Sequence, residues 1–291
     1  MTDRTRWVIA LPLAISLAAC GGERASANGP EAEPAAAPSS AAFDAESDSL
    51  PAALLGTAPP PRGETVSYYA EDPAAAGYLV TPTGEGPHPA VILIHEWDGL
   101  NDRVRQLADA LADEGYVALA ADLYSGRTGS NREENMALVT EARANPAALI
   151  ANLNAAVGFL RARDDVSGRI GTMGWCFGGG VALSYALGGD QHDATAIFYG
   201  SLVTDPDSLA AIDHEIYGTF AELDDGIPPS QVEAFVAALR EAGVANDVHV
   251  YDAVDHGFWL WVDDDPEVRG APAADAWSRL KAYLGRTLRA G

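Results

Sequence analysis

The segment Gly171–Gly180 reads GTMGWCFGGG and holds the pattern G-x-C-x-G around Cys176. A short apolar stretch precedes the pattern, and a helix-like run, Val181–Leu187, follows it. Glycines two positions before and two after Cys176 permit a sharp turn from a strand into a helix, because a Cβ at either position would collide with the neighbouring chain. The turn places the thiol at a helix N-terminus, where the helix dipole and free N–H groups favour a thiolate and an oxyanion. The pattern therefore predicts a nucleophilic cysteine above the edge of a sheet.

The rest of the folded part alternates between strand-like and helix-like segments. Ala90–His95 is a continuous apolar run, typical of a strand buried on both faces of a parallel sheet. A helix start at Asn101-Asp102 is followed by apolar residues with helical spacing as far as Gly115. The other predicted strands are 64–69, 77–81, 116–121, 169–174, 195–199, 215–221 and 247–251, and the other predicted helices are 132–144, 146–163, 229–242 and 272–288. Since the turn at Cys176 is similar to the nucleophile elbow of α/β-hydrolases, we expect that α/β fold, a mainly parallel sheet with helices on both faces.

The chain is strongly acidic. Its 291 residues include 42 Asp and Glu against 18 Lys and Arg, which gives a formal net charge of −24. Such a surface repels phosphate backbones, so the composition argues against nucleic acid as a partner. The length suffices for one substantial core. The sequence contains no cluster of metal ligands and no phosphate-binding loop, so we expect no metal and no cofactor, and we expect a monomer.

The N-terminus has the features of a targeting segment. Residues 1–19 combine a basic start with a short apolar core, as bacterial secretory signal peptides do. The ending Leu17-Ala18-Ala19-Cys20 resembles a lipobox, in which the cysteine becomes the lipidated first residue after cleavage; the alternative is an ordinary signal peptide with an incidental cysteine. Residues 20–61 are rich in Ala and Pro, which predicts a disordered tether before a folded domain over 62–291. We therefore expect an exported protein, at the periplasm or cell surface, that contacts a bacterial membrane through the lipid on Cys20 alone.

A thiol nucleophile needs a base, and the base needs an acid that orients it. In α/β-hydrolases the order along the chain is nucleophile, acid, base. His256 lies in a loop directly after the last predicted strand, at the same carboxyl edge of the sheet as Cys176. The acid is expected after the strand 215–221, where position alone does not separate Glu222, Asp224 and Asp225.

Over residues 64–288 the chain resembles the dienelactone hydrolase family. The matching blocks are His95–Asn101 (HEWDGLN), Asp122–Tyr124 (DLY), Gly174–Gly178 (GWCFG), Asp224–Pro228 (DDGIP) and Ala253–Phe258 (AVDHGF). Together these blocks are far more specific than any one of them. The resemblance implies an α/β-hydrolase that cleaves a carboxylic ester or lactone.

The resemblance also implies roles for individual residues. Cys176 attacks the carbonyl, His256 relays the proton, and Asp224 is the acid that holds the tautomer of His256; an acyl-enzyme forms and water resolves it. Glu96 is implied as a carboxylate near the thiol, where it takes the thiol proton or holds the nucleophile poised. The oxyanion would be bound by two backbone N–H groups, those of Trp97 and Phe177.

Two departures from the family bear on the substrate. The dienelactone-cleaving members grip a substrate carboxylate with two arginines, one after D-L-Y and one four residues after the base. Arg127 stands near the first position but in a shifted register, and Leu260 occupies the second. We therefore predict a preference for a neutral or aromatic ester, with substrate contacts from Tyr124, Arg127 and Trp259.

Two other functions compete with hydrolysis. A non-catalytic surface lipoprotein could bind a small ligand in the same pocket, but a binding role gives no reason to keep Cys176, Asp224 and His256 together. A redox thiol lacks a resolving cysteine once Cys20 is acylated, because the chain has two cysteines.

Overall fold

A computed structural model of the protein describes residues 49–289. Eight strands form one sheet in the order β1-β2-β4-β3-β5-β6-β7-β8. The strands are β1 Glu64–Ser67, β2 Ala76–Val80, β3 His88–Ile94, β4 Val117–Ala121, β5 Val166–Trp175, β6 Ala194–Phe198, β7 Ile216–Ala221 and β8 Asn246–Tyr251. The helices are α1 Asp102–Asp113, α2 Arg132–Arg143, α3 Pro146–Arg161, α4 Phe177–Gly188, α5 Pro206–Leu209, α6 Pro229–Glu241 and α7 Pro266–Leu284, with a 3-10 turn, Val262–Asp264, and a π-helical turn, Gly285–Arg289.

The six strands from β3 to β8 run parallel, while β2 pairs antiparallel with both β1 and β4. β5 lies in the centre, with Gly174 opposite Ile94 of β3 and Ile197 of β6. Because parallel strands end at the same edge, the loops after β3, β4, β5, β6, β7 and β8 share one side of the molecule. The predicted mainly parallel α/β sheet is confirmed.

Helices cover both faces of the sheet, as expected. In β3, Val91 and Leu93 pack in one apolar cluster with residues of α1 and α7. Ala90, Ile92 and Ile94 point to the other face and pack with residues of α3 and α4. Successive side chains of a strand point to opposite faces, so burial on both faces explains the unbroken apolar run of β3.

The closing helix begins earlier than predicted. We expected its start at Pro272, but α7 begins at Pro266, and Pro272 lies inside it. Asp265 caps the helix, its Oδ1 accepting from the N–H of Val268 at 3.3 Å. Proline is favoured in a first helical turn, where its missing N–H costs nothing, so both prolines were plausible starts and the capping aspartate distinguishes them.

The predicted boundary between tether and domain at residue 62 is wrong, because part of the predicted tether packs on the core. Leu54 is fully buried, Ala53 is 2 % exposed, and both belong to the cluster beneath α1 and α7. Gln106 of α1 donates to the carbonyl oxygen of Pro59 at 2.9 Å. The predicted signal peptide, Cys20 and the rest of the predicted tether lie outside the described residues. Within residues 49–289, no helix combines the length and apolar character needed to cross a bilayer.

Candidate active site

Cys176 lies at the turn between β5 and α4, in a backbone conformation that is costly for a residue with a Cβ. Its φ is +53° and its ψ is −113°. A Cβ on Gly174 would overlap the backbone of Gly178, and a Cβ on Gly178 would overlap the carbonyl oxygens of Ile94 and His95. The glycines thus allow the close approach that holds Cys176 in its strained conformation, as the sequence predicted.

His256 and Asp224 form a directly hydrogen-bonded pair at the same edge. His256 Nδ1 lies 2.6 Å from Asp224 Oδ2. The other carboxylate oxygen of Asp224 accepts from the N–H groups of Gly226, at 2.9 Å, and Ile227, at 3.1 Å. Asp224 is 4 % exposed, so these bonds replace the water that its charge has lost.

The neighbouring acids do not compete for His256. Asp225 is exposed at the tip of the turn. Glu222 is exposed too and is engaged elsewhere, accepting from the N–H of Ala253 at 2.9 Å. Of the three candidates that the sequence left open, Asp224 is therefore the partner of the histidine.

The pair is electrostatically coupled to the thiol. Burial opposes the charged imidazolium, but hydrogen bonds with Asp224 and Cys176 outweigh this effect and raise the pKa of His256 to about 10. Burial also acts to raise the pKa of Asp224, yet the hydrogen bond with His256 and the two backbone donors lower it overall. At neutral pH the arrangement therefore favours an ionised carboxylate and an imidazolium beside the sulfur.

Glu96 is a second buried carboxylate in the site. It follows β3 and is 5 % exposed. Burial raises the pKa of Glu96 to about 7, against the lowering effects of a hydrogen bond from Trp261 and the charge of His256. The indole Nε1 of Trp261 lies 2.7 Å from Glu96 Oε2. A carboxyl group with a pKa near neutrality can exchange a proton at physiological pH.

His95 connects two of the loops at this edge and remains neutral. Its Nδ1 lies 2.7 Å from the carbonyl oxygen of Glu96, and its Nε2 accepts from the N–H of Leu123 at 3.1 Å. The ring is fully buried, and burial lowers the pKa of His95 to about 4. A neutral imidazole with one donor and one acceptor fits these two contacts, so His95 holds the loop after β3 against the loop after β4.

Two backbone N–H groups are available for an oxyanion. Phe177 is the first residue of α4, and the first N–H groups of a helix have no partner within it. The N–H of Trp97 makes no hydrogen bond to any group in residues 49–289. Gly178 lies close to the carbonyl oxygens of Ile94 and His95, so the turn after β5 lies next to the loop after β3. The predicted donors are thus free in the described part of the chain.

The predicted substrate contacts have different environments. Tyr124 is 1 % exposed, and its buried hydroxyl has no hydrogen-bond partner within residues 49–289. Burial, and secondarily the nearby Cys176, raises the pKa of Tyr124. The guanidinium of Arg127 is held by both carboxylate oxygens of Glu141, at 2.8 and 2.7 Å. Tyr124 therefore has an unused polar group near the thiol, whereas Arg127 would have to break an ion pair to bind a substrate.

The predicted substrate contact at Trp259 is wrong. Trp259 is fully buried, with its ring centroid 4.5 Å from that of Phe198 and 5.9 Å from that of Trp175. Leu260 is also fully buried and packs in the same apolar cluster. Core packing is the common fate of a tryptophan in a buried segment, and the sequence pattern did not show which side chain of Phe258–Trp261 faces the site.

Two further residues lie in the site, and the sequence did not predict the polar contact of one or the presence of the other. Trp261 is the side chain of that segment that reaches Glu96. Tyr199 follows β6, is fully buried, and has a φ of +38°. Its ring centroid lies 4.9 Å from that of His256, and its hydroxyl has no hydrogen-bond partner of good geometry in residues 49–289. A tyrosine directly after a strand that neighbours the elbow strand was the available signal for this position.

A cavity of about 420 Å³ adjoins the elbow helix. Phe177, Gly180 and Ser184 of α4 line one side, and Leu149 of α3 lies opposite. The lining is mainly apolar, with Arg143 as its one charged residue among those described. Neither Cys176 nor His256 is among the residues that line this cavity. No group of three or more potential metal ligands occurs within residues 49–289.

This combination of sheet, elbow and ordered side chains defines an α/β-hydrolase. Cys176 follows the central strand β5, and Asp224 and His256 follow β7 and β8, which is the chain order that nucleophile, acid and base have in that fold. The sequence model of the dienelactone hydrolase family matches residues 75–288, so the chain belongs to the dienelactone hydrolase family. The resemblance in the motifs is thereby confirmed.

Individual relatives agree with this assignment. The chain is 30 % identical over 231 residues to a protein of Synechocystis sp. named "Putative carboxymethylenebutenolidase", covering 74 % of this chain and 92 % of the relative. A crystal structure of a "Putative Dienelactone Hydrolase" from Klebsiella pneumoniae superposes with a TM-score of 0.64 at 26 % identity, covering 73 % of this chain and 93 % of the other. A propionate-bound esterase from Thermogutta terrifontis shares the fold, with a TM-score of 0.59 at 18 % identity over 79 % of this chain and 97 % of the esterase. The chain is a hydrolase of the dienelactone hydrolase type.

Proposed function

We propose that the protein cleaves a carboxylic ester or lactone with Cys176 as nucleophile, His256 as proton carrier and Asp224 as the acid that orients His256. The observation that carries the proposal is the hydrogen-bonded His256–Asp224 pair, whose histidine is coupled to the strained Cys176. A cysteine with a purely structural role has no need of a positive φ or of a neighbouring imidazolium.

In the proposed reaction, the Cys176 thiol gives its proton to Glu96, the sulfur attacks the carbonyl carbon, and the carbonyl electron pair moves to oxygen. The N–H groups of Trp97 and Phe177 bind this oxyanion. The tetrahedral intermediate collapses, the bond to the leaving alkoxide breaks, and the imidazolium of His256 protonates the alkoxide. Water then attacks the thioester with neutral His256 as base, which releases the acid and restores the thiol. Glu96 holds the thiol proton during acylation and returns it to the sulfur when the thioester is hydrolysed; burial raises the pKa of its carboxyl group to about 7.

The proposed substrate is neutral and apolar near the scissile bond. The arginine that could grip a carboxylate, Arg127, is paired with Glu141, and Leu260 is buried in the core. We expect a higher kcat/KM for a neutral ester than for an ester of equal length that ends in a carboxylate. Equal values for the two esters would contradict this preference.

The hydrolase proposal is tested with the purified full-length chain and a short p-nitrophenyl ester. We expect Cys176→Ala to abolish turnover above the uncatalysed rate while the unfolding midpoint stays near that of the wild type. Full activity of the variant would refute the proposed role of the thiol. Failure of every ester and lactone in a broad panel, together with tight binding of one of them, would instead favour a non-catalytic binding protein.

We also propose that the protein is exported and held at a bacterial membrane by lipid on Cys20, and that it acts as a monomer. The support for export is the basic start, short apolar core and L-A-A-C ending of the N-terminus. In cells fed a labelled fatty acid, the full chain is expected to incorporate the label and the Cys20→Ser variant is not. Equal labelling of the two proteins would overturn the anchor.

A further inference from the structure

Trp261 contacts Glu96 and is itself held from two sides. Its indole N–H donates to Glu96 Oε2 at 2.7 Å. The guanidinium of Arg103 stacks on the indole, 4.6 Å from the ring centroid, and Arg269 donates to the backbone carbonyl of Trp261 at 2.7 Å. These contacts fix both the ring and its backbone, so the N–H is directed at one carboxylate oxygen.

Arg103 is in turn anchored by groups outside the site. It pairs with Asp263 at 2.7 Å and donates to the backbone carbonyl of Ala53. Only 10 % of the Arg103 side chain is exposed, so water competes little for these contacts. A chain of contacts thus leads from Ala53, in the N-terminal segment 49–61, through Arg103 and Trp261 to Glu96.

We propose that Trp261 is a positioning residue: its indole N–H holds the Glu96 carboxylate in the orientation in which Glu96 accepts the proton of the Cys176 thiol. In this step the S–H bond breaks, its electron pair stays on sulfur, and the proton moves to Glu96. The indole N–H bonds Oε2, and we assign the thiol proton to the other carboxylate oxygen, Oε1. The inference rests on the proposed thiol hydrolase function and extends it to a residue outside the motifs that carry the family resemblance.

A neutral donor suits this role better than a cation. Burial raises the pKa of Glu96 to about 7, and the indole hydrogen bond lowers it only in part. A guanidinium in the same place would stabilise the carboxylate far more and make it a weaker base. A base is most effective when its pKa lies near the working pH, so an uncharged partner that orients Glu96 without fully stabilising its charge fits proton transfer near neutrality.

The other groups that shift the pKa of Glu96 stay in place when Trp261 is replaced. Asp98, two residues along the chain, raises the pKa of Glu96. His256, after β8, and Tyr199, after β6, lower it. Loss of the indole N–H removes a group that stabilises the carboxylate, so the pKa of Glu96 rises. Glu96 is then ionised only at higher pH, and the ascending limb of the activity profile moves upward.

The test compares two tryptophan variants of the full-length chain, with kcat/KM for a neutral p-nitrophenyl ester measured between pH 5 and pH 9. Trp261→Phe keeps an aromatic ring beneath Arg103 but lacks the N–H. The matched control is Trp259→Phe, since the Nε1 of Trp259 has no hydrogen-bond partner within residues 49–289. We expect the ascending midpoint of Trp261→Phe to rise by about one pH unit, so that kcat/KM falls about tenfold below the midpoint and less than about twofold at high pH. The midpoint of Trp259→Phe is expected to match that of the wild type.

A second variant guards against misfolding of the first. Arg103→Gln keeps the indole N–H but removes the cation that stacks on it, and its midpoint is expected to shift in the same direction by less. Unchanged midpoints in Trp261→Phe and Arg103→Gln would overturn the positioning role. An equal loss of kcat/KM at every pH in all three variants would also overturn it. Both outcomes differ from failure of the hydrolase proposal, which would show as retained activity in Cys176→Ala.

Discussion

Two adjacent aspartates differ in what they contact, and the proposed role of Asp224 as the acid rests on this difference. Asp224 is buried and bonds His256 at 2.6 Å, whereas Asp225 is exposed. Asp224→Asn would leave an amide that favours the wrong tautomer of the imidazole. We expect kcat to fall by about 10²- to 10⁴-fold, as loss of the orienting acid does in other triads. Asp225→Asn is the matched control and is expected to keep kcat within about twofold. Equal losses in the two variants, measured by ester hydrolysis, would reject the assignment.

The sequence could predict Cys176 and His256, because in an α/β-hydrolase the corresponding residues follow particular strands in a set chain order. Cys176 is marked by its flanking glycines, and His256 by the loop after the last strand. The direction in which a side chain points was not predictable, because Phe258–Trp261 is apolar at every position. The structure places Trp259 and Leu260 in the core and Trp261 at Glu96, a distinction that depends on the local backbone and not on residue type.

At the scale of elements, the turn from β5 into α4 requires glycine for a steric reason that can be tested. A Cβ on Gly178 would overlap two backbone carbonyl oxygens, which cannot move away as a side chain could. We expect Gly178→Ala to lower the free energy of unfolding by about 1–3 kcal/mol and to reduce kcat, because the turn that holds Cys176 must shift. The measurement is urea unfolding together with ester hydrolysis.

The matched control for this turn is Gly158, in the last turn of α3. A Cβ there meets no atom within 4 Å. Gly158→Ala is expected to raise the free energy of unfolding by about 0.5–1 kcal/mol, because alanine loses less conformational entropy in a helix. A stable, fully active Gly178→Ala would show that the elbow does not need its glycine.

Strands buried on both faces were the elements most readily predicted, because a short continuous apolar sequence such as that of β3 is typical of a buried strand. The start of α7 was less predictable. Asp265-Pro266 and Pro272 both offer start signals, and in the structure the helix begins after the cap at Asp265. The four-residue helix α5 has too few residues for any periodic pattern.

At the scale of the whole molecule, the N-terminal segment belongs to the core and contributes to stability. Leu54 is fully buried, whereas the adjacent Leu55 is 38 % exposed. We expect Leu54→Ala to lower the free energy of unfolding by about 2–5 kcal/mol, because it removes buried apolar surface and leaves a cavity. Leu55→Ala is the matched control, with an expected change within about 0.5 kcal/mol. Similar urea midpoints for the two variants would show that the segment is not part of the cooperative fold.

Composition could not reveal this role. Residues 49–61 share the Ala- and Pro-rich character of the chain before them, and a few apolar side chains such as Ala53 and Leu54 give no periodic signal. Their burial depends on a surface formed by α1 and α7, which lie far away in the sequence. The overall α/β fold was predictable because many strand and helix patterns along the chain indicate it. The packing of residues 49–61 on the core involves that one segment alone.

The central claim is that an acyl group becomes bonded to Cys176 during turnover. The most direct measurement is peptide mass spectrometry of the full-length protein, quenched in acid during hydrolysis of a p-nitrophenyl ester, with acid-denatured protein as the control for chemical acylation. We predict an acyl adduct on the peptide that contains Cys176 in the native wild type, accumulation of the adduct in His256→Asn, and no adduct at this position in the denatured control. Sustained turnover with no adduct on Cys176, or with the acyl group on another residue, would contradict the account.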